Sequence, residues 1–349
     1  MAYTTIDNPF KFFNTVLYTG ANKSITGVNF QPDWVWIKER DSGYHAIFDS
    51  VRGATKVFSS NVTNAESTQS DTLTAFGTDG FTLGADSANY VGGSSTNTVS
   101  WNWLGGTAFS NDASATGVGT IDSSGTTNQT AGFSLVSFTG NGSASQSVAH
   151  NLGGTPEMII FKCRETATDW TTFHTKLGGA NKNLSLNSTS AAGTDTDFFA
   201  NTNPTSTVFS VGAASNTNRS SEGMIAYCFR SIKGYSKFGS YTGNGNADGT
   251  FVYTGFKPAF VIQKASSASS YDWVILDNKR DPFNVADESL YANLSNAAQT
   301  SNDTDFLSNG FKLRSTAAGN NGSGTTFIYM AFAESPFVTA GTKAAGTAR

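Results

Sequence analysis

One phrase occurs three times in this chain. It reads Phe30-Gln31-Pro32-Asp33-Trp34-Val35-Trp36-Ile37-Lys38, then Gly154-Thr155-Pro156-Glu157-Met158-Ile159-Ile160-Phe161-Lys162, then Thr254-Gly255-Phe256-Lys257-Pro258-Ala259-Phe260-Val261-Ile262-Gln263-Lys264. In each copy a proline is followed six residues later by a lysine, with a hydrophobic run between. Proline fixes φ and lacks an N–H, so it suits the lead-in to a strand and not its centre. The run is short and rich in Val, Ile, Phe and Trp, which predicts a buried strand. A chain that repeats such a strand is built from copies of one unit.

Other segments recur in step with it. Each unit opens on Leu17-Tyr18-Thr19-Gly20, Phe138-Thr139-Gly140-Asn141-Gly142 or Tyr241-Thr242-Gly243-Asn244-Gly245. The Asn-Gly pairs predict tight hairpin turns. A second matched strand holds His45 to Asp49, Trp170 to His174 and Trp273 to Asp277, followed by Asn61, Asn187 or Asn293. Each unit closes on alternating large residues: Val99, Trp101 and Trp103; Ile225, Tyr227 and Phe229; Ile328, Met330 and Phe332. Alternation of period two predicts a strand with one face buried. The fold class expected is all-β: three tandem antiparallel β-sandwich repeats, of jelly-roll or concanavalin A-like type. The expected segments are an N-terminal arm (1–14), repeat 1 (15–109), a linker (110–131), repeat 2 (132–232), repeat 3 (233–335) and a C-terminal tail (336–349). The linker, rich in Gly, Ser, Thr and Asn, is expected to be flexible or draped over the surface. Helices are expected to be minor, with a single turn at Asp287 to Tyr291.

The net charge is −4 and charged residues make up 14% of the chain, with no basic run. That argues against a nucleic-acid partner. No apolar stretch approaches the ~20 residues of a membrane helix, and the N-terminus lacks the pattern of a signal peptide. Synthesis in a cytoplasm is expected, with an outside role reached by lysis or within a particle. Both cysteines, Cys163 and Cys228, fall in predicted strands and are expected as free buried thiols.

Candidate sites are weighed against plainer roles. Lys38, Lys162 and Lys264 invite a functional reading, but Asp49 and Arg52 match Asp277 and Arg280 on the next strand. Cross-strand pairs of Lys38 with Asp49 and of Lys264 with Asp277 are expected to be structural. Repeat 2 departs from this, with His174 and Leu177 at the matched places. Asp195 and Asp197, with Asp303 and Asp305, could begin a cation loop, although a plain turn is preferred. His45, His150 and His174 lie in no metal or hydrolase pattern. The six tryptophans are expected in the core rather than on a sugar-binding face. No catalytic residue, metal or cofactor is assigned.

The segments Met1-Ala2-Tyr3-Thr4-Thr5-Ile6-Asp7, Phe30 to Lys38, Trp101-Asn102-Trp103-Leu104 and Tyr241 to Gly245 carry a resemblance. The chain resembles a family of marine bacteriophage proteins described as virion structural or tail-fibre-like, with repeats similar to the concanavalin A-like and laminin-G sandwich. The resemblance implies a location in the virion and contact with other virion proteins. The expected function is that of a non-enzymatic structural protein on the particle exterior, a tail fibre or head decoration. A homo-oligomer, preferably a trimer, is expected, although three repeats in one chain can mimic a trimer. The alternatives are a glycan-binding module recognising the host surface and a polysaccharide depolymerase.

Overall fold

The computed structural model describes residues 3–93 and 95–339; the expected tail falls largely outside them. The fold is all-β and antiparallel. Each repeat builds the same four-stranded ladder in the order opening, closing, proline–lysine and second strand. In repeat 1 these are Phe13–Thr19, Asn97–Trp103, Trp34–Glu39 and His45–Asp49. In repeat 2 they are Phe133–Thr139, Gly223–Phe229, Met158–Cys163 and Thr171–His174. In repeat 3 they are Ser236–Thr242, Thr326–Pro336, Phe256–Ala265 and Val274–Asp277. The prolines lead in to the strands of repeats 1 and 2, while in repeat 3 the strand runs through Pro258 with a register shift there.

Both faces of each ladder are buried, for two different reasons. Odd and even positions of a strand point to opposite faces. Val35 and Ile37, or Ile159 and Phe161, or Val261, face a smaller outer layer and form a separate core within each repeat. Trp34 and Trp36, Met158 and Ile160, and Phe260 and Ile262 instead join one core common to all three repeats. The matched closing strands obey the same rule, with Trp101 and Trp103, Tyr227 and Phe229, and Met330 and Phe332 in the shared core. Three ladders thus form the walls of a prism filled with side chains. Trp34 of repeat 1 stacks on Tyr227 of repeat 2 (ring centroids 4.8 Å apart), and Phe13 stacks on Phe332 of repeat 3 (5.0 Å). All six tryptophans are buried. Burying such side chains contributes roughly 1.5–3 kcal/mol each, so the shared core is a large part of what holds the repeats together.

Three local expectations are corrected. The linker is structured: Thr107–Asn111 and Ser123–Asn128 form a hairpin that extends the ladder of repeat 2 beyond its opening strand. Its small residues permit this close approach, since a Cβ on Gly125 would lie 1.8 Å from Leu135 O. The Asn-Gly segments are not hairpin turns, because the strands they join do not pair: in repeat 2 they lie in separate sheets and in repeat 3 at opposite edges of one sheet. In repeats 2 and 3 Asn218 and Asn321 brace them, accepting from the N–H groups of Asn141 and Asn244. The segment expected as a helical turn at 287–291 lies within the strand Ala286–Tyr291, whose inner residues, such as Leu290, enter the core.

Candidate functional site

The repeated lysines lie at the junctions between repeats. Lys38, Lys162 and Lys264 are buried. Lys162 Nζ donates to Thr63 O of repeat 1 (2.8 Å), Lys264 Nζ to Thr189 O of repeat 2 (3.3 Å) and Lys38 Nζ to Ser295 O of repeat 3 (3.5 Å). The three acceptors each stand two residues after the matched Asn61, Asn187 and Asn293. Those asparagines accept from the backbone N–H of His45, Trp170 and Trp273. A third matched bond closes each junction: Glu66 N–H to Arg164 O, Ala192 N–H to Ser266 O and Ala298 N–H to Arg40 O. Every junction runs in the same sense, so the ring closes head to tail within one chain. Burial pushes each lysine down to about 8.

The expected Lys38–Asp49 and Lys264–Asp277 pairs do not form. The antiparallel register sets Lys38 opposite His45 and Asp49 opposite Trp34, at the two ends of the strand pair; in repeat 3 Asp277 faces Phe260. Asp49 instead holds Arg52, and Asp277 holds Arg280, each at 2.6 Å with both side chains fully buried. Each guanidinium also donates to a backbone carbonyl, Ile47 O or Ile275 O. A neighbouring repeat completes each pair. Tyr227 Oη donates to Asp49 Oδ2 (2.8 Å) and Trp101 Nε1 to Asp277 Oδ2 (3.0 Å). At the third junction the acid is replaced by His174 and the matched donor by Met330, so acceptor and donor are absent together.

The histidines share one arrangement. His45 Nδ1 accepts from Trp36 Nε1, His150 Nδ1 from Leu152 N–H and His174 Nδ1 from Lys176 N–H. Each Nε2 faces a carbonyl oxygen, of Tyr291, Thr205 or Tyr329. A proton on Nδ1 would meet an N–H donor. Desolvation is the main cause that holds His45 down at about 3 and His150 and His174 at about 4. Two of the four carboxylates weighed for cations are engaged locally. Asp195 accepts from Asp197 N–H in a turn, and Asp305 pairs with Arg314 at 2.7 Å.

One cluster was not legible in the sequence. Cys163, Glu165 and Glu222 converge with their donor atoms within 4.8 Å of one another. Protein donors already satisfy it: Glu222 accepts from Cys163 Sγ, Thr166 Oγ1 and Arg219 Nε, and Glu165 from Gly223 N–H. Burial, then the bond to Glu222, pushes the thiol up. Neither cysteine is in a disulfide.

A cleft of about 800 Å³ lies in repeat 3 beside the repeat 2 junction and the arm. Phe251 (44% exposed) and Tyr253 (50% exposed) form its rim. Lys176, Lys233 and Lys237 surround it, against one carboxylate, Glu157, which accepts from the N–H and O–H of Ser231. Lys237 Nζ crosses to Tyr253 O (2.7 Å). Tyr3 donates to Gly255 O at one end (2.7 Å). Tyr329, 3% exposed, places its phenol over Gly239, where a Cβ would lie 2.4 Å from Oη. That O–H bonds to no described residue. In the sequence, the only signal was two aromatics flanking Val252 in a strand with one face exposed.

No helix among the described residues is long and apolar enough to cross a membrane. An all-β chain with three repeats closed around one core is a repeat-built scaffold with a lateral cleft. The chain belongs to the family described as a domain of unknown function, DUF7483, which matches residues 8–336. No curated protein and no solved structure matches it.

Proposed function

We propose that this chain is a structural protein on the outside of a bacteriophage particle, a tail fibre or a head decoration, which meets other virion proteins and the host surface. The observation that supports this reading is the closed ring of three matched junctions. The distinctive buried polar residues of the repeats, the lysines and the Asp–Arg pairs, serve to fix one repeat against the next. Such a chain suits a rigid building block. The resemblance carried by Met1 to Asp7, Phe30 to Lys38, Trp101 to Leu104 and Tyr241 to Gly245 favours the same reading. Closure within one chain supplies what a homotrimer makes from three, so the free chain is read as a monomer. Light scattering giving a trimer mass would restore the homotrimer.

Mass spectrometry of purified particles, followed by localisation in a reconstruction, tests the proposal. Stoichiometric copies at the outer surface are expected, and absence from purified particles would end it. Glycan recognition is a second reading, favoured by the exposed Phe251 and Tyr253 beside the cleft, since exposed aromatic faces offer sugars a stacking surface. A silent glycan array, with host adsorption unchanged by Phe251→Ala and Tyr253→Ala, would remove it.

A further inference from the structure

Repeat 2 shows what belongs in the place that repeat 3 leaves open. In repeat 2 the strand Ser123–Asn128 lies against the opening strand, with Ser123 opposite Phe138 and Thr127 opposite Ser134. The same segment reaches the outer layer. Thr120 N–H donates to Ser147 O, Ser123 Oγ to Ala149 O and Thr127 Oγ1 to Asn151 O. It therefore fills the slot between the opening strand and the outer strand Gln146–Ala149. Phe138-Thr139-Gly140 matches Tyr241-Thr242-Gly243, so Ser134 matches Lys237 and Leu135 matches Phe238. The equivalent walls in repeat 3 are Ser236–Thr242 and Phe251–Tyr253. Among the described residues no strand lies between them, and the slot is the 800 Å³ cleft.

The open edge is set up for pairing. Ser236 N–H turns away from the closing strand to Ile232 O (2.9 Å), and Phe238 N–H to Ser231 Oγ (3.2 Å). Backbone direction alternates along an antiparallel strand, so Ser240 N–H and C=O also face the slot. Ser231 and Ile232 thus cover the start of this edge, and its open part, around Ser240, is a template for another strand. The three lysines around it, with a single carboxylate that Ser231 already engages, favour an anionic guest. The buried Tyr329 O–H, with no partner among the described residues, supplies a donor on the floor.

We propose that this slot receives an extended acidic segment of a partner protein, which adds antiparallel along the open part of Ser236–Thr242 around Ser240, as Ser123–Asn128 adds to Phe133–Thr139, with a carboxylate reaching Lys237 at the end that Ser231 covers. A strand is favoured over a sugar because it satisfies the open backbone edge and because repeat 2 carries the template. The inference holds whether or not the chain sits on a particle.

Two labelled peptides test it: residues 119–127 of this chain, and the same peptide with Thr127→Glu, whose new carboxylate the repeat 2 register sets at the Lys237 end of the slot. Fluorescence anisotropy against the full chain should show the acidic peptide binding about 10-fold more tightly, equivalent to ~1.4 kcal/mol. That advantage should shrink at high salt and vanish in Lys237→Gln. Ser240→Pro, which removes an edge N–H, should abolish binding while the melting temperature stays near that of the parent. If that variant does not fold, slowed hydrogen exchange of the Ser240 amide on adding peptide replaces it as the expected result. Absence of saturable binding by either peptide at millimolar concentration would overturn the proposal. So would unchanged binding by folded Ser240→Pro, or an unprotected Ser240 amide. A tetragalacturonate probe that protects the cleft where the peptides do not would assign it to an acidic saccharide instead.

Discussion

Tyr227 of repeat 2 donates its hydroxyl to Asp49 Oδ2 of repeat 1 at 2.8 Å, and the same oxygen takes Arg52 Nε at 2.6 Å. One carboxylate therefore closes a loop within its own repeat and ties that repeat to the next. Trp101 and Asp277 do the same between repeats 1 and 3.

Tyr227→Phe removes one hydrogen bond to a buried charge and should cost about 1.5–3 kcal/mol. Asp49→Ala leaves the Arg52 guanidinium buried and uncompensated, and should cost about 3–5 kcal/mol. Urea titrations of the two variants measure both. If Asp49→Ala proved no worse than Tyr227→Phe, the ion pair would not be the dominant element of the junction.

The shared core predicts that the repeats unfold together. Trp34→Ala should cost about 3–5 kcal/mol. Tryptophan fluorescence and far-ultraviolet circular dichroism should move in one coincident transition, in the parent and in the variant. Separate transitions would show that the three repeats are independent units.

Acid should weaken the fold through the histidines. An imidazole in an unfolded chain titrates near 6.5, against about 3 for His45 and about 4 for His150 and His174 in the fold. Above ~6.5 neither state holds the proton, and the stability is complete. As the pH falls from about 6.5 toward 4, the unfolded chain takes up protons that the fold refuses, so stability is lost, on the order of several kcal/mol in total. Urea midpoints at pH 7, 5.5 and 4.5 should fall in that order. His174→Gln should make the decline shallower, and an equally steep decline would remove His174 from the explanation.

The hairpin 107–128 should resist proteolysis despite its composition. Trypsin cannot report on it, because no Lys or Arg lies there, but a nonspecific protease such as proteinase K can. Cleavage in the native chain should fall elsewhere. Gly125→Ala should destabilise this hairpin, because its Cβ would meet Leu135 O. A native chain cut first between residues 107 and 128 would contradict the structure.

The sequence carried the repeats and the strand types because both depend on local pattern. The proline–lysine phrase and the alternation through Trp101 and Trp103 mark strands wherever they fold. What it could not carry was register and layer. Lys38 and Asp49 are near in sequence and on adjacent strands, yet the pairing sets them at opposite ends, where Lys38 meets a carbonyl of repeat 3. The Gly-, Ser- and Thr-rich segment was misread for a related reason. Small polar residues suit a loose linker, and they equally suit a strand pressed against Leu135. The cleft left almost no signal, because it is made by the lack of a strand that repeat 2 possesses.

Closure of the ring inside a single polypeptide has a consequence for valency. Three identical subunits around an axis must offer three identical grooves, and any mutation changes all of them at once. Here each repeat can diverge separately, and they have done so: repeat 2 fills its slot with residues 118–128, while repeat 3 leaves the matched slot open. The molecule keeps the stiffness of a threefold prism without repeating in repeat 2 the cleft of repeat 3. Avidity would then be set by how many chains stand side by side, and not by the symmetry of any one of them.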